Sequence, residues 1–200
     1  MSVQELTLPR TGIDKGKLIW TLKDLPPLLV GDNLAFKAEG YQVPLVSLID
    51  AESYHWALVG KRQVDDEISI GDYGVHDSTS KGTTSHLLSE YQTRHMRVYR
   101  PVLPPGQQEE LKDRLLKRYL YYGDQKYDYF GVAMVGVWWI AHKANPNIEW
   151  FVHNSSKFWC LEFNFVVWRD FGLLLVPESE PPHPGNMEKS PNLKLIWGTY

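Results

Sequence analysis

The chain sorts its segments by kind, and that order constrains its fold more than any single residue. Strand-like runs occupy roughly the first half, helical runs follow, and a strand-like run returns at the end. A turn at Gly31-Asp32 feeds a strand ending at Phe36. Tyr54 to Val59 is aromatic and aliphatic, Glu67 to Val75 alternates around Gly71-Asp72 as a hairpin does, and Met96 to Tyr99 stops at Arg100-Pro101. From Gln107 to Tyr122, Leu111, Leu115, Tyr119 and Tyr122 share one helical face, with Glu110 and Arg114 as an i,i+4 pair and Gly123 as the stop. Asp128 is placed to cap an apolar helix from Tyr129 to His142, closed by Asn145-Pro146. A third helix is predicted over Ser156 to Asp170, stopped by Gly172. Strands are predicted over Leu173 to Val176 and Leu193 to Trp197, with a Pro-rich loop over 177–191 between them. Strands first, helices next and strands last predict an α+β domain rather than alternating βαβ units.

The domain is expected to span residues 28–200, after a lead-in over 1–27 that mixes charges with Gly and Thr and closes on Pro26-Pro27. A net charge of −3 gives no global cationic surface, so nucleic acid is not an expected partner. Met1 to Lys17 lacks the apolar core of a secretory signal. The longest apolar run, Phe130 to Ala141, falls short of the roughly 20 residues of a membrane span. The expectation is a cytoplasmic protein, or one exported without a cleavable signal, with no stable membrane insertion. Eight Trp and eleven Tyr point to a thick core, a binding cleft, or both.

The chemistry centres on the single cysteine, Cys160, which also rules out an intrachain disulfide. It lies in Ser155-Ser156-Lys157-Phe158-Trp159-Cys160-Leu161-Glu162-Phe163. Ser155 or Ser156 as N-cap puts the thiol in the first turn of the third helix, where the helix dipole favours a thiolate. The bland alternative is a buried core cysteine. His55 heads the strand His55-Trp56-Ala57-Leu58-Val59, where an imidazole can be held rigidly as a base. A third polar group must fix its tautomer. Gly74-Val75-His76-Asp77 offers His76 and Asp77, with His76 slightly preferred and a turn holding both as the alternative. Tyr127 either packs beside the cap Asp128 or donates to an oxyanion next to the Cys160 N–H. Glu162 is read as structural, and Trp138-Trp139 and Trp150-Phe151 as core before groove. His86 and His95 lack zinc-ligand spacing. There is no phosphate loop and no Gly-x-Ser-x-Gly elbow, so no metal or cofactor is expected.

Several segments, in order, resemble the permuted papain-like hydrolases of the NlpC superfamily, particularly the YiiX/YebB-like branch. They are Gly31-Asp32 entering a strand, the His55 strand, Tyr127-Asp128-Tyr129 before a helix, Cys160-Leu161-Glu162-Phe163, and Pro184-Gly185-Asn186-Met187 with Ser190-Pro191 before the last strand. His55-Trp56-Ala57-Leu58 is also similar to the lecithin retinol acyltransferase-like relatives, which share the order of His before Cys. The resemblance covers roughly residues 28 to 197. It implies a circularly permuted papain-like fold with an antiparallel sheet against helices. Within it Cys160 attacks a carbonyl carbon, His55 shuttles the proton and His76 orients the ring. A carboxylate often holds the third position in YiiX-like members, which keeps Asp77 open. Leu161 stands where relatives commonly carry a small residue. The implied substrate is an amide in a peptide or a peptidoglycan stem. Acyl transfer or lipid deacylation by the same dyad, and a silent binding module of the same fold, are the alternatives.

Overall fold

The structure, a computed structural model, describes residues 18–40, 42, 47, 49, 51–60, 73–123, 125–150 and 157–200. Its strands in chain order are β1 (Asn33–Lys37), β2 (Ser53–Gly60), β3 (Gly74–Thr79), β4 (Gly82–Leu87), β5 (Met96–Pro101), β6 (Lys126–Tyr127), β7 (Lys157–Phe158) and β8 (Leu193–Gly198). Six of them build one antiparallel sheet in the order β4-β3-β2-β1-β5-β8, while β6 and β7 pair in parallel apart from it. The helices are α1 (Gln107–Tyr121), α2 (Tyr129–Ala144), α3 (Cys160–Arg169) and α4 (Pro184–Glu188). Short 3-10 turns cover Leu22–Asp24 and Leu88–Tyr91.

Alternation along the strands sorts the core into two layers. Leu34, Phe36, Ala57, Val59, Val75 and Val98 pack on one face with Trp20, Leu88 and Tyr91. Ala35, Trp56, Leu58 and Tyr99 pack on the other with α1 and α3. Helix α3 runs against β2 and β3, and every residue from Cys160 to Trp168 is buried. Full burial of side chains such as Phe163, Phe165 and Trp168 contributes about 2–3 kcal/mol each. The helix bearing the lone thiol is therefore packed into the core along almost its whole length.

Gly31-Asp32 explains how β1 is entered. Asp32 is fully buried and its carboxylate accepts from the Leu29 N–H at 2.9 Å and from Gln108 Nε2 at 3.0 Å. Arg100 grips both of its oxygens, Nε at 3.0 Å and Nη2 at 2.8 Å. Gly31 has φ +94°, and a Cβ there would lie 2.5 Å from Cζ2 of Trp168. Positive φ and the clash act together, so Gly31→Ala is expected to cost about 2 kcal/mol. Urea unfolding measures it, and an unchanged midpoint contradicts the expectation.

Three expectations are corrected. The third helix starts at Cys160, not Ser156: Lys157 and Phe158 are extended beside β6, and the Phe158 carbonyl accepts from Ser78 Oγ at 2.6 Å and the Asp128 N–H at 3.3 Å. Leu173–Val176 is not a strand. Its carbonyls serve side chains instead, that of Leu175 accepting from Ser190 Oγ and that of Leu174 from Asn192 Nδ2 at 2.7 Å. The Pro-rich stretch contains α4, which His183 caps by accepting the Asn186 N–H. Helices α1 and α2 fall where the periodicity puts them, with Asp128 capping α2 through the Gly131 N–H at 2.9 Å. The hairpin tip at Gly71-Asp72, the caps Ser155 and Ser156, Phe151 and most of the lead-in lie outside the described residues.

Trp138 and Trp150 are buried, their rings edge-on with centroids 6.5 Å apart, as the core reading expects. Trp139 is half-buried under the Lys143 ammonium. The opposite side of α2 leaves Phe130, Val137 and Ile140 exposed. Among the described residues no helix is long and apolar enough to cross a membrane.

Candidate active site

The site forms where three elements end close together. Pairing Ala57 with Asp77 is the last step of the β2–β3 ladder, so His55 lies just past it on the same face as Asp77. The Phe36 ring stacks on the imidazole, centroids 5.8 Å apart, and limits its rotation. His55 Nε2 lies 2.9 Å from Asp77 Oδ2. The His55 side chain also hydrogen-bonds Cys160, and with Nε2 spent on Asp77 the nitrogen left for sulfur is Nδ1. Residues far apart in the chain thus form one line: thiol, imidazole, carboxylate.

Cys160 is the first residue of α3 and is 4 % exposed. No side chain caps that helix at Trp159, which leaves the Cys160 N–H among the amides unpaired within the helix and directed outward from its positive end. Glu162, one turn in, accepts the Trp159 N–H, half of a capping box. Its buried Oε2 has no hydrogen-bond partner. Burial, with the nearby Asp128 charge, pushes the Glu162 pKa up to about 9, so it is a neutral acid at pH 7.

The electrostatics favour charge on the imidazole. Burial works against the His55 cation, but the negative charge of Cys160, the Asp77 hydrogen bond and the Cys160 hydrogen bond outweigh it and raise the pKa to about 10. Asp77 is fully buried, which opposes its ionisation, yet its bond to His55 and the charges of His55 and His86 hold it below the usual carboxylate range.

Asp77, not His76, holds the imidazole. Adjacent strand residues face opposite ways, and His76 points to the α3 side. There its ring lies 4.7 Å from that of Tyr119, with Nδ1 2.9 Å from Ser85 Oγ. It fills the space above Gly60, where a Cβ would come within 2.4 Å of His76 Cδ2. Tyr127 comes near the thiol because β6 lies beside β7: Tyr127 pairs with Phe158, two residues before Cys160. Burial and the Cys160 charge both raise its pKa, so it keeps its proton.

The sequence reading missed the shell around Asp77. Tyr91 donates its hydroxyl to Asp77 Oδ2 at 2.9 Å, and Thr84 donates to Oδ1 at 3.2 Å. His86 Nε2 lies 3.0 Å from Thr84 Oγ1 and 3.6 Å from Asp77 Oδ1, and its Nδ1 is 3.4 Å from Glu90. The signal was present as Thr84-x-His86, two polar side chains that a strand places on one face.

No protein-family model matches the chain, and no curated protein matches it either. A solved structure does: the metalloprotein YiiX from Escherichia coli O157:H7, with a TM-score of 0.59 and 13% sequence identity. The match covers 85% of this chain and 97% of that one. Among the described residues here, no group of three or more His, Cys, Asp or Glu side chains is arranged to hold a metal ion. The likeness concerns the fold, and it shows that this chain has the α+β, papain-like (NlpC-type) architecture of YiiX, with an antiparallel sheet packed against helices.

Proposed function

We propose that the chain is a cysteine hydrolase of the YiiX-like branch that cleaves an amide bond, in a peptide or a peptidoglycan stem. The observation carrying this reading is the hydrogen-bonded line from Cys160 through His55 to Asp77. His55 takes the thiol proton and the sulfur attacks the carbonyl carbon. The oxyanion so formed accepts from the Cys160 N–H, with the protonated Tyr127 hydroxyl as a second donor. Collapse breaks the C–N bond, His55 returns its proton to the leaving amine, and a thioester remains. His55 then removes a proton from water, which attacks the thioester and regenerates the thiol. Asp77 holds the ring through both half-reactions, and Tyr91 and Thr84 hold Asp77.

The exposed Phe130 and Ile140 of α2, whose first turn adjoins Tyr127, favour a second reading: the same dyad transferring or releasing an acyl chain. Fatty acid release from phospholipid without cleavage of cell-wall peptides decides for it. The thiol itself is tested by iodoacetamide at pH 6. Cys160 is expected to react at least about tenfold faster than free cysteine, because the hydrogen-bonded His55 imidazole is placed to take its proton as sulfur attacks. A rate equal to or below that of free cysteine identifies a catalytically silent module instead.

A further inference from the structure

Beside the dyad lies a small pocket lined by Lys37, Glu39, Gln42, Tyr54 and Arg94. Tyr54 precedes His55 on β2, and the two rings are 6.0 Å apart, so the pocket opens one side chain away from the imidazole. Arg94 Nη1 donates to the Tyr54 hydroxyl at 2.6 Å, which orients both groups. Gln42 accepts the Glu39 N–H at 3.3 Å and hydrogen-bonds Tyr54 as well. Among the described residues neither Lys37 nor Arg94 forms an ion pair, whereas Arg97 and Arg100 on the neighbouring strand each have a carboxylate. Lys37 instead lies 5.5 Å from the centre of the Tyr200 ring, and the Arg94 guanidinium 5.8 Å from that of Tyr91.

Two cations against the single carboxylate of Glu39 leave one net positive charge, framed by a phenol and an amide. That suits a singly charged carboxylate better than a dianionic phosphate. Burial raises the pKa of Tyr54, so its hydroxyl is a donor throughout the neutral range. We propose that this pocket is a carboxylate-binding subsite, and that the substrate of the Cys160 site carries a free carboxylate close to its scissile bond. The inference rests on the thiol hydrolase reading and adds the substrate's charge to it.

The test needs no known substrate. Cys160 is alkylated with N-iodoacetyl-β-alanine and, separately, with its methyl ester; in each case sulfur bonds to the methylene carbon and iodide leaves. The two reagents differ only in the carboxylate that would enter the pocket. The wild type is expected to favour the acid, and the acid-to-ester rate ratio should fall about tenfold in Lys37→Met/Arg94→Met. Arg94→Lys, which keeps the charge, should restore most of it, and 1 M NaCl should erode it in the wild type. Lys37→Met alone, at an exposed position, reports a drop of about threefold should the double variant not fold. A ratio that the substitutions leave unchanged overturns the subsite while the thiol hydrolase stands. Failure of both reagents to outpace their reaction with free cysteine overturns the hydrolase reading, and the subsite with it.

Discussion

Replacing Asp77 by alanine is expected to slow alkylation of Cys160 at pH 6 by about a hundredfold, yet leave the rate at pH 9 within a few-fold of wild type. Asp77 contributes both a hydrogen bond and a charge to the raised pKa of His55. Once they are removed, burial acts on the imidazole with less opposition and pulls its pKa down. A neutral imidazole no longer stabilises a neighbouring thiolate. An ordinary thiol with pKa about 8.5 is roughly 0.3 % ionised at pH 6, which sets the size of the loss. At pH 9 an ordinary thiol is largely ionised in water, so the advantage of a basic neighbour shrinks and the gap narrows. Asp77→Asn retains one acceptor oxygen for His55 or Tyr91, so a loss of about tenfold is expected. Urea unfolding of the variant separates this from a damaged fold, which would expose the buried thiol and give it the pH profile of free cysteine. A wild-type rate at pH 6 in Asp77→Ala would remove Asp77 from the relay.

Asp77 also marks the limit of what could be read from the chain. Cys160 and His55 were legible because each is distinctive where it stands, one a lone thiol near a helix start and the other heading an apolar strand. Choosing between His76 and Asp77 depends on strand register, and a slip of one residue exchanges the two faces. Nothing within Gly74-Val75-His76-Asp77 sets the register; it is set by pairing Ala57 with Asp77 and Asp77 with Thr84. The two long helices were legible almost to the residue, since their signals lie three or four positions apart. The start of α3 was misread by four residues because Lys157 and Phe158 are held by β6 and Ser78, partners that local propensity does not contain. Leu173–Val176 has strand composition, but the Ser190 hydroxyl and Asn192 amide take the carbonyls that a ladder would use.

Glu162 carries the largest stability effect expected here. Its pKa moves from an ordinary 4.5 to about 9 on folding, so between those values the folded chain binds a proton that the unfolded chain has lost. Stability from this group is therefore greatest below pH 4.5 and falls as pH rises toward 9. At pH 7 the interval of 2.5 units corresponds to a cost on the order of 3 kcal/mol. Glu162→Gln removes that cost: the amide is neutral at every pH, its oxygen can still accept the Trp159 N–H, and its NH₂ can face the nearby Asp128. The variant is expected to match the wild type near pH 4.5 and exceed it increasingly up to pH 9, as read by urea unfolding at several pH values. Parallel stability curves for the two proteins would mean that Glu162 is ionised and paired after all. The neutral state also bears on the chemistry, because a carboxylate one turn into α3 would oppose negative charge on Cys160. Alkylation of Cys160 at pH 6 in Glu162→Gln should accordingly stay close to wild type, whereas Glu162→Ala, which loses the cap on the Trp159 N–H, should not preserve the stability gain.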